Sequence, residues 1–377
     1  MRQSRRVPLL SLLVGLSLIA AVLWDAFETV VLPRTVSRRW RIARMYFRAT
    51  WRPWREWARR IATDGRRERF LAVYGPLSLV GLLGVWAVGL VAGLAALQWS
   101  TGSNLQTPFG AAHLADDIYM SGTTFFTLGL GDVHPIGHVA RVLTVVEGGL
   151  GFGFLAVVIA YFPVLYQSFS RREVRLTMLD AWAGSPPAAG EVLRRLAAAG
   201  ELKALDPFLR DWEYWCSELL ESHISYPTVA FFRSQHQRQS WVSALGAILD
   251  LSALVSVGID GVPTWQAHVT FAIARHAAVD LSQVMHAPPG AGDDRLPPSD
   301  LEQLRQQLEA AGLRPVRSPD ADARLLELRR SYEPFIVALS EFLMMPAPAW
   351  WREGALKDNW QTSPRRDGTH AAKGSHL

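Results

Sequence analysis

The stretch SGTTFFTLGLGDVHP, residues 121–135, lies between two long apolar runs, and in it Gly129 and Gly131 flank a leucine just before Asp132. A polar, glycine-spaced turn is unexpected between two such runs. Irregular backbone is tolerated at membrane depth only where it lines water or is buried in protein. The aromatic and aliphatic residues in and before the stretch, among them Met120 and Phe125, also argue against a simple solvent loop. We therefore expect a segment that enters the membrane and returns to the same side.

Three apolar runs are long enough to cross a bilayer, which takes about 20 residues of helix. Val7–Trp24 is the first, and Phe70–Trp99 is the second, with 30 residues and no formal charge. Gly148–Tyr166 is the third, on a helix that we expect to begin near Val139. Gly89 and Gly93 in the second run are spaced for close helix contact. The distribution of apolar residues in the 377-residue chain indicates a membrane protein rather than a soluble one.

The positive charges predict the orientation of the chain. Thirteen arginines lie between Arg34 and Phe70, whereas Ser100–His138 contains no lysine or arginine. Positively charged segments stay in the cytoplasm. We expect a multi-pass protein of the plasma (bacterial inner) membrane with its N-terminus and residues 100–138 outside and the chain after 168 inside. The first run also resembles a secretory signal, but its removal would place the basic segment outside.

The returning segment predicts an apolar descending helix followed by an extended ascent. The helix is expected from about Ala112 to Phe126, capped by Asp116 or Asp117. Glycine at 129 and 131 permits backbone angles that let successive carbonyl groups face one axis. Four such segments would surround that axis with rings of oxygen that replace the water around a cation.

Residues 127–132, Thr-Leu-Gly-Leu-Gly-Asp, resemble the selectivity filter of potassium channels, Thr-Val-Gly-Tyr-Gly-Asp in its commonest form. Two-pore-domain potassium channels have similar filters with leucine in the fourth place. The resemblance covers about residues 70–168 and implies a homotetrameric, potassium-selective channel with K⁺ as its permeant ion, no other cofactor and no enzymatic activity. It implies K⁺ binding at Thr127, Leu128, Gly129 and Leu130, with Gly131 completing the filter. A less selective cation channel and a non-conducting membrane-anchored scaffold or receptor are the alternatives.

Four residues near the filter are candidates for supporting roles. Thr123 and Asp132 are expected to support the filter and its outer mouth, and Asp132 either holds the filter by hydrogen bonds or attracts cations. Glu147, an acid within a span, either braces the pore helix or lies near the cavity. Gly151 either bends the inner helix as a gating hinge or allows close packing.

The basic segment 34–69 predicts an amphipathic helix, broken near Pro53, along the inner leaflet. Its aromatic and aliphatic stripe faces one way, and its arginines are expected to bind anionic lipids rather than nucleic acid. Asp25 and Glu28, at the end of the first run, are expected to pair with Arg34 or neighbouring arginines. The stripe consists of Trp40, Phe47, Trp51, Trp54 and Ile61.

The region after the third run predicts a helical cytoplasmic domain with an unknown ligand or protein partner. Helices are expected over 190–221, 228–257, 264–286, 300–312 and 320–345, with a linker over 287–299. Within them, 226–241 favours an amphipathic helix over a ligand pocket. The run 241–258 favours a buried helix, because Asp250 lies at its centre. No dinucleotide fingerprint or metal-ligand spacing occurs in this region.

The predicted fold class is an all-α membrane protein with three transmembrane helices, a re-entrant pore helix and filter, and a helical cytoplasmic domain. The predicted divisions are an N-terminal transmembrane helix (1–33), a basic interfacial segment (34–69), a pore domain (70–168), a helical cytoplasmic domain (169–357) and a disordered tail (358–377).

Overall fold

The chain forms two compact units, Met1–Tyr166 and Gln167–Leu377, in a computed structural model. The structure describes residues 6–30, 32, 41–108, 110–235, 238–290 and 294–351. The predicted tail after 358 lies outside the described residues. Both units are mostly helical, as the sequence predicts.

The first unit contains the three helices that are long and apolar enough to cross a membrane. Their number, length and composition agree with the three predicted spans, although the second helix begins before Phe70 and the third continues past Tyr166 into the second unit. The elements are α1 (Arg6–Val30), α2 (Ile42–Arg59), α3 (Asp64–Ser100), β1 (Leu105–Gln106), α4 (Leu114–Phe125), β2 (His134–Pro135) and α5 (His138–Ala183).

Helices α1 and α3 pack closely at their glycines, as the spacing of Gly89 and Gly93 predicts. A Cβ atom on Gly89 would lie 2.8 Å from the Val22 side chain, and one on Gly93 would lie 2.7 Å from Ile19. Real Cβ atoms essentially never come so close to a neighbour. The two glycines therefore set the distance between the first two spans.

Helix α2 runs unbroken through Pro53, so the predicted break is wrong. Proline removes one backbone hydrogen bond from a helix, but tertiary packing outweighs that loss here. Trp51 is buried with its ring 4.7 Å from that of Tyr74, and Trp54 stacks on Phe70 at 4.4 Å. The aromatic stripe thus holds α2 against α3. Trp40, at its predicted start, lies outside the described residues.

Asp25 connects three helices through hydrogen bonds. Its Oδ2 atom accepts hydrogen bonds from the backbone N–H of Ala43 at 3.0 Å and from the indole N–H of Trp86 at 2.9 Å. Glu28 does pair with an arginine, Arg41, at 3.5 Å. The predicted ion pairing is therefore confirmed for Glu28. For Asp25 it stays a prediction, because Arg34 and its neighbours up to residue 40 lie outside the described residues.

The second unit is a bundle of shorter helices that follow α5. The single helix predicted over 190–221 is interrupted at Gly200, where a φ of +69° ends the first helix, and the chain then forms a second helix. The 320–345 prediction likewise divides after Arg330. The helices are α6 (Ala189–Ala199), α7 (Leu205–Ser225), α8 (Trp241–Val257), α9 (Trp265–Met285), α10 (Pro298–Ala310), α11 (Pro319–Arg330) and α12 (Glu333–Leu343), with short 3-10 turns at Leu202–Ala204 and Pro227–Phe231.

The segment 226–241 is not the predicted amphipathic helix. After the 3-10 turn, the described residues between 232 and 240 are not helical. The guanidinium of Arg233 instead donates to the backbone carbonyls of Leu343 and Met344 at the end of α12. Helix α8 therefore begins only at Trp241, and it is buried along its length, as predicted for a helix with Asp250 at its centre.

The predicted linker 287–299 is anchored through an arginine that the sequence did not single out. Arg295 donates to both carboxylate oxygens of Asp250, at 2.6 and 3.1 Å, and to Glu333 at 3.1 Å. The Tyr332 hydroxyl donates to the same Asp250 carboxylate at 2.6 Å. The fully buried acid in α8 thus fixes the linker and the start of α12.

Replacing Arg295 with leucine should destabilise the second unit by about 3–5 kcal/mol, because it leaves the Asp250 carboxylate buried without its cation. Thermal unfolding of the detergent-solubilised chain, followed by tryptophan fluorescence, measures the effect. Arg324→Leu is the matched control, since its pair with Glu327 is exposed and worth about 1 kcal/mol or less. Equal losses of thermal stability in the two variants would show that the buried pair stabilises the unit no more than an exposed pair does.

Candidate functional site

Helix α4 begins where the sequence predicts a capped helix. The backbone N–H of His113 donates to the carboxylate of Asp116 at 2.8 Å, which satisfies the start of the helix. Asp117 is fully buried and accepts a hydrogen bond from the Ser103 hydroxyl at 2.6 Å. The helix spans Leu114–Phe125, within two residues of the predicted bounds. Its first turn is therefore fixed both by its own cap and by the loop before it.

The backbone after α4 turns back on the last turn of that helix. The N–H groups of Leu128 and Gly129 donate to the carbonyl oxygen of Thr123, at 2.7 and 3.3 Å. The φ angles are +54° at Gly129 and +82° at Gly131, which explains why glycine suits both places. Thr127 also has a positive φ, +60°, which the sequence did not predict.

The carbonyl oxygens of residues 127–131 accept no hydrogen bond within the described part of the chain. The side chains beside them are also uncovered in the single chain, with Leu128 62% and Leu130 63% exposed. Such exposed peptide oxygens can accept hydrogen bonds from water or, where several chains surround one axis, coordinate a cation. The structure thus places Thr127, Gly129 and Gly131 in one exposed segment whose carbonyl oxygens accept no hydrogen bond from the described residues.

The chain that follows residues 127–131 is held by contacts across the loop. The Tyr119 hydroxyl of α4 donates to the Asp132 carboxylate at 2.9 Å. Strands β1 and β2 then pair antiparallel, with Leu105 opposite Pro135. Neither Tyr119 nor the β ladder has a local sequence signal, because each contact joins residues far apart in the chain. The position of Asp132 favours the holding role among the two expected for it.

Glu147 lies behind α4. Its side chain is fully buried next to the Ser121 hydroxyl of α4. Neither group forms a well-oriented hydrogen bond within the described residues. This position agrees with the bracing role more closely than with a role in an open cavity.

Gly151 contacts the C-terminal end of α4. A Cβ atom there would lie 2.0 Å from the carbonyl oxygen of Phe125, whereas Gly149 and Gly153 have no atom within 4 Å of such a Cβ. The Phe154 ring also lies 5.5 Å from that of Phe125. Of the two interpretations of Gly151, close packing has direct geometric support, and the hinge stays a prediction.

Comparison with known proteins agrees with a channel-like first unit. A protein-family model described as "Ion channel" matches residues 84–167. An uncharacterized membrane protein of Bacillus subtilis (strain 168), YdjJ, is 23% identical over 199 residues, which is 52% of this chain and 57% of the relative. The chain thus spans little more than half the length of that curated relative. No solved structure matches the chain significantly. The match over 84–167, which contains the α4 helix and the loop that follows it, supports an ion channel family for this membrane protein.

Proposed function

We propose that this protein is a potassium-selective channel in which four copies surround one pore. The observation that carries the proposal is the row of unsatisfied carbonyl oxygens at residues 127–131, next to the positive φ angles of Gly129 and Gly131. Such oxygens replace the hydration shell of K⁺ as it enters. In this proposal Thr127, Leu128, Gly129 and Leu130 bind K⁺, and the Thr127 hydroxyl adds the innermost ring.

The need for several copies follows from the single filter segment in each chain, and the resemblance to potassium channels implies four. One segment provides oxygens on one side of an ion only, so a closed symmetric ring of chains is needed. The exposure of Leu128 and Leu130 in the single chain supports contact with neighbouring copies. The C-terminal end of α4, with a partial charge of about −0.5, would favour a cation at the centre of the ring.

Ion flux from liposomes that contain the purified chain tests the proposal. We expect K⁺ efflux that exceeds Na⁺ efflux by at least about a hundredfold, a difference of about 2.7 kcal/mol between the ions, and inhibition by Ba²⁺. Equal K⁺ and Na⁺ fluxes would instead indicate a less selective cation channel. Absence of flux from liposomes with intact, assembled protein would indicate a non-conducting scaffold or receptor. Protein-free liposomes are the control.

We also propose that α2 binds anionic lipid headgroups at the cytoplasmic surface. Arg44, Arg48 and Arg52 are spaced four residues apart, so they form one stripe along the helix. None of the three has an ion-pair partner among the described residues, and Arg48 and Arg52 are exposed. Each arginine near an anionic surface contributes about 1 kcal/mol.

Replacing these three arginines with glutamine should reduce the phosphatidylglycerol that stays bound during purification by at least about tenfold. Mass spectrometry of the lipid bound per chain measures the change. The matched control replaces Arg210, Arg314 and Arg324 of the second unit with glutamine. Equal lipid retention in both triple variants and the unmodified protein would contradict the lipid-binding role of α2.

A further inference from the structure

A cavity of about 260 Å³ opens between the last part of α5 and the second half of α7, inside the second unit. Ser168 and Arg171 line it from α5, three residues apart and hence on one face. Trp215, Glu218 and Ser222 line it from α7 with the same kind of spacing. The volume approaches the lower limit of small-molecule sites, about 300 Å³.

The floor of the cavity includes Arg172, whose hydrogen-bonding capacity is already used within the protein. A guanidinium has five N–H groups. Those of Arg172 point to Glu173, to the ring of His223 at 3.2 Å and to backbone carbonyls. The two carbonyls are those of Val229 and Phe232. Arg172 therefore stabilises the wall and offers no free donor to a ligand.

His223 adds no positive charge beside this arginine. Burial and the neighbouring Arg172 guanidinium hold the pKa of His223 well below its usual value. One ring nitrogen lies 2.9 Å from the Leu219 carbonyl oxygen, and the other faces Arg172. The imidazole is therefore neutral at physiological pH and serves as part of the wall.

Three charged groups lie around the cavity. Arg171 and Glu221 are exposed at its mouth, and Glu218 is half-buried. Ion pairs within 4 Å are absent for all three among the described residues. Below them Trp215 is 1% exposed, and its indole N–H has no acceptor in the part of the chain that the structure describes. The cavity thus combines charges of both signs, without ion-pair partners among the described residues, with a buried indole N–H in its wall.

We propose that this cavity binds a small zwitterion with one ammonium group and one anionic group. The ammonium group would lie between the Glu218 and Glu221 carboxylates, where two charge-assisted hydrogen bonds are available to it. The anionic group would pair with the Arg171 guanidinium. A ligand of single charge would leave either the cation or the carboxylates without a partner. The site does not depend on the proposed conduction of K⁺.

Two sources of this chemistry fit the cavity, a free amino acid and the headgroup of phosphatidylethanolamine. Isothermal titration calorimetry on the full chain in detergent distinguishes them. One arm titrates ω-amino acids from glycine to 6-aminohexanoate, and the other titrates short-chain phosphatidylethanolamine. Propylamine and propionate are the single-charge controls. We expect a dissociation constant of about 1 mM or below for at least one zwitterion and at least about tenfold weaker binding of both controls.

Two variants test the assignment of the charges. Arg171→Gln and Glu218→Gln should each weaken binding of the best zwitterion by at least about tenfold. Arg210→Gln and Glu341→Gln, at exposed positions away from the cavity, should leave it unchanged. Absence of binding in both arms would overturn the proposal. It would also be overturned if the single-charge controls bound as tightly as the zwitterions, or if the two cavity variants bound the zwitterion as tightly as the unmodified protein. Because the readout is binding, these outcomes are independent of whether the chain conducts ions.

Discussion

Replacement of Gly129 with alanine should abolish K⁺ flux. Gly129 has a φ of +54°, and a residue with a side chain pays about 1–2 kcal/mol to adopt that conformation. In the proposed ring of four copies, this cost is repeated in each copy. The strained backbone would rotate its carbonyl groups away from the axis and so remove the oxygens that bind K⁺. We expect flux to fall at least about a hundredfold, about 2.7 kcal/mol, measured in liposomes with the assembled variant.

Gly84→Ala is the matched control for this experiment. Gly84 lies within α3 with a helical backbone, and a Cβ atom there meets nothing within 4 Å. Flux through this variant should stay close to that of the unmodified protein. Unchanged flux in Gly129→Ala, with normal K⁺ selectivity, would contradict the role of the 127–131 backbone.

Replacement of Gly151 with alanine should disrupt the packing of α5 on α4. The new Cβ atom would lie 2.0 Å from a backbone oxygen, that of Phe125, which is not the movable end of a side chain. Overpacking of this kind costs about 1–3 kcal/mol, and more where backbone must move. We expect a lower unfolding temperature and loss of the assembled form on size-exclusion chromatography.

The controls for Gly151 distinguish packing from a gating hinge. Gly149→Ala and Gly153→Ala meet no atom within 4 Å, so both should fold and assemble normally. If the hinge were the main role of Gly151, alanine there would leave stability and assembly intact and change only channel opening. That result would contradict the packing role.

The membrane spans and α4 could be predicted because their signals are local. An uncharged run of 30 residues has few alternatives to a membrane helix, and glycines such as Gly89 and Gly93 mark a close contact by their spacing alone. The acid at Asp116 likewise indicated a helix start from its neighbours in the sequence. Each of these features depends on residues within one turn or one span.

Contacts between distant parts of the chain could not be predicted from the sequence. Asp25 forms a hydrogen bond with Trp86, and Asp132 with Tyr119, only because the fold brings these distant residues together. The same holds for Arg295 and Asp250, which are 45 residues apart. A single polar residue carries no signal for its partner, so the capping of α2 by Asp25 was not expected.

Helix boundaries in the second unit were missed for a related reason. An apolar period of 3.6 residues continues across Gly200, so it does not reveal that a helix ends there. The positive φ of that glycine ends α6 with a short cap. After the 3-10 turn at Pro227–Phe231, the contacts of Arg233 with the end of α12 replace a helix that periodicity alone favoured.

Cryo-electron microscopy of the purified assembly in K⁺ tests the central claim most directly. The account predicts a fourfold axis lined by the carbonyl oxygens of residues 127–131, with ion density between successive oxygen layers and α4 ends directed toward the axis. A monomeric particle, or an assembly in which residues 127–131 lie far from every symmetry axis, would contradict it.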